Sequence, residues 1–336
     1  MSGTRFHSFL IIQTAFIGDV ILATGLIEKL HQHYPESKID FLLRKGNEGL
    51  LAGHPLLRNV LVWTKKESKI SNLFKIIKQV RANQYDCVVN VHRFASSGLI
   101  TAFSGSKLKI GFDKNPLSLG FNKNIKHHIG NRHEVQRNHQ LIEEITDGDY
   151  AKPRLYPSER DVEKVKPFQI ERYICIAPTS VWFTKQFPVE KWITFLESIG
   201  NRNGKVYLLG APSDHSACES IRLASSNGSV VNLAGQLSFL ESAALIKGAA
   251  MNFVNDSAPM HLASAMNAPV TAIFCSTVPS FGFGPLSDRS RIIETKEKLD
   301  CRPCGLHGFK ACPKRHFKCA YSISNEELID SLKTIQ

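Results

Sequence analysis

The chain has 336 residues, of which 43% are hydrophobic and 21% are charged, and it carries a formal net charge of +12. This length suits two globular domains, and no apolar run reaches the about 20 residues that would span a bilayer. The positive charge calls for an anionic partner, although its sign does not distinguish nucleic acid, a membrane surface and a phosphorylated substrate. No signal-peptide pattern precedes the apolar run at 9–12, so we expect a cytoplasmic location.

Short apolar runs alternate with longer helical patterns, which implies parallel strands joined by crossover helices. In the first half the predicted strands are 8–13, 39–43, 59–63, 86–91 and 108–112, and the predicted helices are 20–33, 69–83 and 135–146. A charged stretch with several prolines predicts a linker over residues 147–168. The strands predicted in the second half are 172–177, 204–210, 230–233, 250–254, 269–274 and 291–294, and a last helix is predicted near 324–334. The sequence therefore predicts an α/β protein with two Rossmann-like halves.

Two turns at strand ends indicate the kind of ligand. The turn at 14–19 lacks a Gly-x-Gly-x-x-Gly pattern, which argues against a dinucleotide-dependent dehydrogenase. Residues 252–274 predict a buried strand, a polar turn with Asp256, Ser257 and His261, a helix of small residues and a second buried strand. Such a turn directs backbone N–H groups and the positive end of a helix dipole at an anion such as a diphosphate. We therefore predict a nucleotide ligand.

Three ordered motifs are spread over nearly the whole chain. They are Gln-Thr-Ala-Phe-Ile-Gly-Asp-Val-Ile-Leu-Ala-Thr at 13–24, Pro-Thr-Ser-Val-Trp-Phe-Thr-Lys-Gln-Phe-Pro at 178–188 and Asn-Asp-Ser-Ala-Pro-Met-His at 255–261. The set resembles glycosyltransferase family 9, the lipopolysaccharide heptosyltransferases. Members usually carry glycine where Ala258 stands. The resemblance therefore implies that the backbone approaches the donor slightly differently in this chain.

The resemblance implies the GT-B architecture, in which two Rossmann-like domains face each other across a cleft. Residues 1–160 would form the N-terminal acceptor-binding domain, and residues 161–336 would form the C-terminal domain that binds the nucleotide-sugar donor. The last helix is expected to pack back on the first domain, as is common in that architecture.

Asp19 lies where the first predicted strand gives way to a helix. From position alone a helix N-cap is the more ordinary interpretation, because aspartate is a favoured capping residue. The resemblance implies instead that Asp19 is the general base that takes the proton from the attacking acceptor hydroxyl. A carboxylate at the carboxyl end of a strand is suited to that work.

Lys185 lies in the loop after the first strand of the second half. A lone loop lysine is ordinarily solvated, but the resemblance implies a catalytic role in which Lys185 offsets charge on the departing diphosphate. By the same match, Thr179 and Ser180 are expected to donate hydrogen bonds to the phosphates.

The remaining expected donor-binding residues belong to two turns. The resemblance implies that His261 and the helix start at Ser257 and Ala258 contact the diphosphate, although a lone histidine there is more often an ordinary packed residue. Asp256 would organise the turn or reach the sugar hydroxyls. Asp214 follows the strand at 204–210, where family members hold the nucleoside, and is expected to bind the ribose hydroxyls.

The cysteines near the C-terminus allow two interpretations. Cys301 and Cys304 have the close spacing of zinc ligands, and with Cys312, Cys319 and His316 they offer a tetrahedral site of four thiolates or of three thiolates and one imidazole. The six residues between Cys312 and Cys319 depart from the usual zinc spacing, so we favour reduced structural thiols over stoichiometric metal. Similar tails occur in heptosyltransferase II-like members, which adds to the resemblance.

The motifs and the resemblance together predict an inverting bacterial glycosyltransferase that moves a heptose from ADP-heptose to the inner core of lipopolysaccharide, with no cofactor or catalytic metal. The expected acceptor is an anionic glycolipid at the cytoplasmic face of the inner membrane, which suits basic runs at 58–81 and 105–140. One alternative is a nucleotide-sugar epimerase of similar architecture. Another, from a different class, is a basic nucleic-acid-binding protein with a Cys/His metal tail. The sequence contains no recognised nucleic-acid module, so nucleic acid is not the expected partner.

Overall fold

The computed structural model describes residues 6–65, 68–130 and 132–333, and the chain divides into two compact units, Met1–Tyr156 and Pro157–Gln336. Lys66 and Glu67, which belong to the first basic run, lie outside the described residues. Within the described ranges, no helix has the length and apolar character that a membrane crossing requires.

The first unit contains a single sheet of parallel strands with helices between them. Its strands are β1 (Ser8–Ile12), β2 (Lys38–Arg44), β3 (Asn59–Trp63), β4 (Cys87–Asn90), β5 (Leu108–Phe112) and β6 (Lys123–Ile125). Its α-helices are α1 (Ile17–His33), α2 (Lys69–Ala82), α3 (Ala95–Ala102) and α4 (Glu134–Gln140). The strand order is β3-β2-β1-β4-β5-β6. The central strand β1 is buried from Phe9 to Ile12, as its unbroken apolar run predicts for a parallel sheet covered on both faces.

The predicted strands and helices of this unit are found, with two omissions, one shifted start and one early end: the helix predicted at 135–146 is α4, which ends at Gln140. Strand β6 was not predicted because its three residues include Lys123 and Asn124 and form no apolar run. Helix α3 was also not predicted, since its eight residues are too few for a clear helical period. Helix α1 begins at Ile17, three residues before the predicted start at 20.

Residues expected to form the linker are bonded to the first unit up to Tyr156. The Asp147 carboxylate pairs with Lys29 and lies 2.9 Å from His33. Farther along, the Tyr156 hydroxyl donates to Glu28 at 2.9 Å. The change of unit falls between Tyr156 and Pro157, and helix α5 (Glu159–Val165) follows almost at once.

The second unit repeats the same architecture. Its strands are β7 (Tyr173–Ala177), β8 (Lys205–Leu208), β9 (Val230–Asn232), β10 (Asn252–Asn255), β11 (Val270–Phe274) and β12 (Ser290–Glu294), in the order β12-β11-β10-β7-β8-β9. Its helices after α5 are α6 (Val189–Ile199), α7 (His215–Ala224), α8 (Phe239–Gly248), α9 (Ala258–Ala265), α10 (Lys318–Tyr321) and α11 (Asn325–Lys333). Both sheets are parallel, which confirms the predicted α/β class.

The last helix is part of the core of the second unit. Helix α11 packs on α6, and its Leu328 and Leu332 are buried in a cluster that includes Trp192 and Phe195. The residues that precede α11 fold over the carboxyl end of β11, where Cys304 N–H donates to the Ser276 carbonyl at 2.8 Å. The C-terminal segment therefore stabilises the edge of the sheet at which ligands bind in parallel α/β folds.

Candidate active site

Asp19 lies in the first turn of α1, at the carboxyl edge of the first sheet. Its Oδ2 accepts a hydrogen bond from the Phe16 N–H at 3.1 Å, and Phe16 is the N-cap residue. The N-cap interpretation of Asp19 is therefore wrong: Asp19 is the third helical residue and bonds back to the cap. The side chain is partly buried.

Burial, and to a smaller extent the nearby Glu134 carboxylate, raises the pKa of Asp19 to about 6. The hydrogen bond from the Phe16 N–H and the charge of the Arg93 guanidinium lower this pKa. A carboxylate with this pKa is ionised at neutral pH and holds a proton more firmly than an ordinary aspartate, which are the properties required of a general base.

The cluster of basic residues near Asp19 was not predicted from the sequence. The Thr14 hydroxyl bonds His92 Nδ1 at 2.8 Å, and Lys65 donates to the Thr14 carbonyl at 3.0 Å. Burial, together with Lys65, Arg93 and Arg44, lowers the pKa of His92 to about 3, so this ring is neutral. Each of these residues ends or follows one of the strands β1 to β4. Their positions after the predicted strands could therefore have indicated that they share one edge of the sheet.

Lys185 and Asp256 meet at the carboxyl edge of the second sheet. The Lys185 ammonium lies 2.7 Å from Asp256 Oδ2, with the two side chains 14% and 7% exposed. The Thr277 hydroxyl donates to the same Oδ2 at 2.6 Å. Lys185 is therefore not an ordinary solvated loop lysine: its charge is held by a buried carboxylate that a second residue also fixes.

Asn255, at the end of β10, ties this site to the Lys185 loop. Its side-chain oxygen accepts from the Phe187 N–H at 2.9 Å, and its amide donates to the Pro178 carbonyl at 2.8 Å. Both ends of the loop are thus bonded to one buried side chain. Asn255 and Thr277 were not among the predicted site residues, although Asn255 lies in the motif at 255–261.

The other predicted donor-binding residues lie at the same edge. Ser257 is the N-cap residue of α9, Ala258 is its first residue, and His261 is buried one turn later. Thr179 and Ser180 are partly buried in the loop after β7.

Asp214 has a structural role in its own turn. Its Oδ2 accepts from the Ala211 N–H at 2.8 Å and closes the turn after β8. This hydrogen bond uses one carboxylate oxygen, and the residue is partly buried. The predicted contact of Asp214 with ribose remains a prediction.

The C-terminal segment braces the Lys185 loop. The Phe309 N–H donates to Thr184 Oγ1 at 2.7 Å, and the Ser276 hydroxyl donates to the same oxygen at 3.0 Å. Gly308 has a φ of +75°, and a Cβ there would lie 2.8 Å from Thr184 Oγ1. Only glycine fits this approach without displacement, so the segment is closely matched to the loop.

Four cysteines and His316 line one cavity of about 220 Å³ beside this contact. Cys301 Sγ lies 3.8 Å from His316 Nε2, and Cys304 and Cys319 have pKa values raised by burial and by neighbouring thiols. All eight cysteines are free thiols. Across residues 6–65, 68–130 and 132–333, no three His, Cys, Asp or Glu side chains are arranged to hold a metal ion.

We expect purified protein to contain well below one equivalent of zinc or iron per chain, because the six residues between Cys312 and Cys319 depart from the usual zinc spacing. Elemental analysis of protein purified without chelator provides the measurement. A full equivalent of metal, with loss of stability on chelation, would contradict this expectation, because a structural metal contributes directly to folding.

The comparisons with known proteins agree with one another. The sequence model of glycosyltransferase family 9 (heptosyltransferase) matches residues 73–306. Lipopolysaccharide heptosyltransferase 3 of Escherichia coli K12 is 28% identical over 275 residues, which cover 77% of this chain and 80% of that protein. The structure of E. coli ADP-heptose lps heptosyltransferase II aligns with a TM-score of 0.81 at 20% identity, over 98% of both chains. E. coli heptosyltransferase WaaC with ADP-2-deoxy-2-fluoro heptose aligns at 0.72 and 19% identity, over 96% of this chain and 99% of that one.

Two parallel six-stranded sheets and these structural neighbours define a glycosyltransferase of GT-B architecture. The chain belongs to glycosyltransferase family 9, which confirms the resemblance seen in its three motifs.

Proposed function

We propose that this enzyme transfers a heptose from ADP-heptose to the inner core of lipopolysaccharide with inversion at the anomeric carbon. The support for the donor and the acceptor is the names of the relatives: lipopolysaccharide heptosyltransferase 3 from E. coli, and structures solved as ADP-heptose lps heptosyltransferase II or with an ADP-heptose analogue. The first unit is assigned to the acceptor and the second to the nucleotide sugar.

Asp19 is the general base of the proposed reaction. Its carboxylate takes the proton of the acceptor hydroxyl while that oxygen forms a bond to the anomeric carbon and the bond from this carbon to the diphosphate breaks. One displacement of this kind inverts the anomeric configuration. The observation that carries the assignment is a partly buried carboxylate at a strand end whose pKa is raised to about 6.

Lys185 stabilises the leaving diphosphate. Asp256, which is itself fixed by the Thr277 hydroxyl, holds the Lys185 ammonium group at the carboxyl edge of the second sheet. The N-terminus of α9 adds the partial positive charge of its N–H groups there. Thr179, Ser180 and His261 complete the phosphate contacts, and Asp256 also orients the turn. Because Lys185 and α9 supply positive charge, this scheme needs no metal or cofactor.

The acceptor is a glycolipid, and helix α2 provides a surface for meeting its membrane at the cytoplasmic face. Ile70 and Phe74 are 73% and 67% exposed, and Lys78 and Arg81 continue the same flank at four- and three-residue spacing. Exposed apolar side chains beside basic ones suit the surface of an anionic bilayer. This flank supports peripheral association of the enzyme with the inner membrane.

The pH dependence of turnover tests the role of Asp19. We expect kcat/KM to fall tenfold per pH unit below about pH 6 and to level off above it, because only the ionised carboxylate accepts a proton. Rates measured from pH 5 to 8 with ADP-heptose and core oligosaccharide provide the test. An acid limb near pH 4, the range of an ordinary aspartate, would contradict the perturbed base.

A further inference from the structure

A cavity of about 490 Å³ lies at the carboxyl edge of the first sheet, where β4, β5 and β6 end side by side. Each strand contributes the residues that follow it. The polar ones that line the cavity are Arg93, Asp113, Lys114, Lys126, His127 and His128. We call this cavity the basic pocket.

The basic pocket and the surroundings of Asp19 have Arg93 in common. Strands β1 and β4 are neighbours in the sheet, and Arg93, which follows β4, is close enough to Asp19 to favour its ionised form. A group bound in the pocket would therefore lie beside the hydroxyl that Asp19 deprotonates.

The charges of the pocket favour an anion with more than one negative charge. Arg93, Lys114 and Lys126 are exposed cations, and Asp113 is the one carboxylate that faces them among the lining residues. The Asp113 carboxylate accepts from the His127 N–H at 2.9 Å, so it holds the loop in place. Three cations against one carboxylate give the pocket an excess of two positive charges.

His127 adds a hydrogen-bond donor to this cluster. The Arg93 guanidinium can only donate, so its 3.3 Å contact makes His127 Nδ1 the acceptor and leaves the ring proton on Nε2. Burial and Arg93 keep the ring neutral, with a pKa lowered to about 4. Within the described residues the buried Nε2 has no hydrogen-bond partner. A buried donor of this kind is destabilising unless a ligand or water completes it.

We propose that the basic pocket binds a phosphate monoester carried by the acceptor glycan, close to the hydroxyl that receives the sugar. This inference rests on the proposed function, and it names the chemical group by which the enzyme recognises its acceptor. A phosphate monoester carries nearly two negative charges at neutral pH, which match the pocket. Its three oxygens can engage the Arg93 guanidinium and two lysines at once.

The test compares two forms of one acceptor with two pairs of lysine substitutions. Deacylated core oligosaccharide is used as isolated and after phosphatase treatment. The test variant is Lys114→Gln with Lys126→Gln. The matched control is Lys38→Gln with Lys247→Gln, two exposed lysines outside the pocket, the first at the amino end of β2.

The expected result is a rise of at least about tenfold in the KM and Kd of the test variant for the phosphorylated glycan, with little change for the treated glycan. The control variant and the Kd for ADP should stay at wild-type values. An equal loss on both glycans would assign the pocket to a carboxylate or to the sugar and overturn the proposal. So would a test variant that matches the control.

Calorimetry measures binding of the phosphorylated glycan without requiring transfer. It therefore distinguishes a failure of the pocket assignment from a failure of the proposed reaction. If wild type binds the glycan through the two lysines but transfers no heptose, the proposed reaction fails and the anion pocket stands. If wild type transfers heptose equally well to both glycans, the pocket assignment fails alone.

Discussion

Asp19→Asn is expected to lower turnover by about 10²–10⁴-fold while the Kd for ADP stays near its wild-type value. The substitution keeps the size of the side chain and an oxygen that can accept from the Phe16 N–H, but it removes the site that takes the proton. ADP binding should persist because the predicted nucleotide contacts all lie in the second unit. Steady-state rates and calorimetry on the same preparation provide the measurement.

The stability of the Asp19→Asn variant distinguishes a catalytic role of Asp19 from a structural one. The pKa of Asp19 is raised from 3.8 to about 6 on folding, so its carboxylate destabilises the folded chain increasingly as the pH rises from about 4 to about 6, and by a constant amount above that. Asp19→Asn should therefore raise the free energy of unfolding by about 1 kcal/mol at pH 8, after allowance for partial exposure, and by less as the pH falls from 6 towards 4. Unchanged turnover with reduced stability would return Asp19 to a purely structural role in α1.

Lys185→Ala is expected to raise the Kd for ADP by about 10- to 100-fold and to slow transfer as well. The ammonium meets charge that is already present on the donor diphosphate and that increases as the glycosidic bond breaks. Lys185 is also held at 2.7 Å from Asp256, so its loss leaves a buried carboxylate whose remaining side-chain partner among the described residues is Thr277. ADP titrations at several pH values, with a thermal denaturation of each variant, provide the measurement.

Lys191→Ala is the matched control, because Lys191 is also partly buried and bonded. Its ammonium donates to the Ile323 carbonyl and lies 5.7 Å from the centre of the Phe187 ring. Loss of Lys191 should lower stability and leave ADP affinity nearly unchanged. If both variants weaken ADP binding to the same small extent, Lys185 only supports its loop.

The architecture could be predicted from the sequence because central parallel strands are continuous apolar runs. The runs at 9–12 and 270–274 are buried throughout, and Thr271 is the one polar residue within them. The failures follow from the same principle: β6 is short and polar, and α3 has eight residues in all. The start of α1 was missed because Phe16, an unusual cap, precedes it.

The site residues were predicted from motifs, but their partners were not. The motif at 255–261 indicated Asp256, and nothing local to it indicated that Thr277 and Lys185 would share its carboxylate. Those contacts join residues in loops that follow different strands, so only the order of strands in the sheet brings them together. The link from Gly308 to Thr184 spans more than 120 residues and depends on how the C-terminal segment folds over β11.

Analysis of the products formed from ADP-heptose and core oligosaccharide distinguishes direct transfer of heptose from other reactions. We expect ADP to be released only when the acceptor is present, and each ADP to correspond to one heptose joined to the glycan. NMR of the product should show that the anomeric configuration is the inverse of that in the donor. Release of ADP without acceptor, with a changed donor sugar, would identify an epimerase instead, and a retained anomeric configuration would contradict direct displacement with Asp19 as the base.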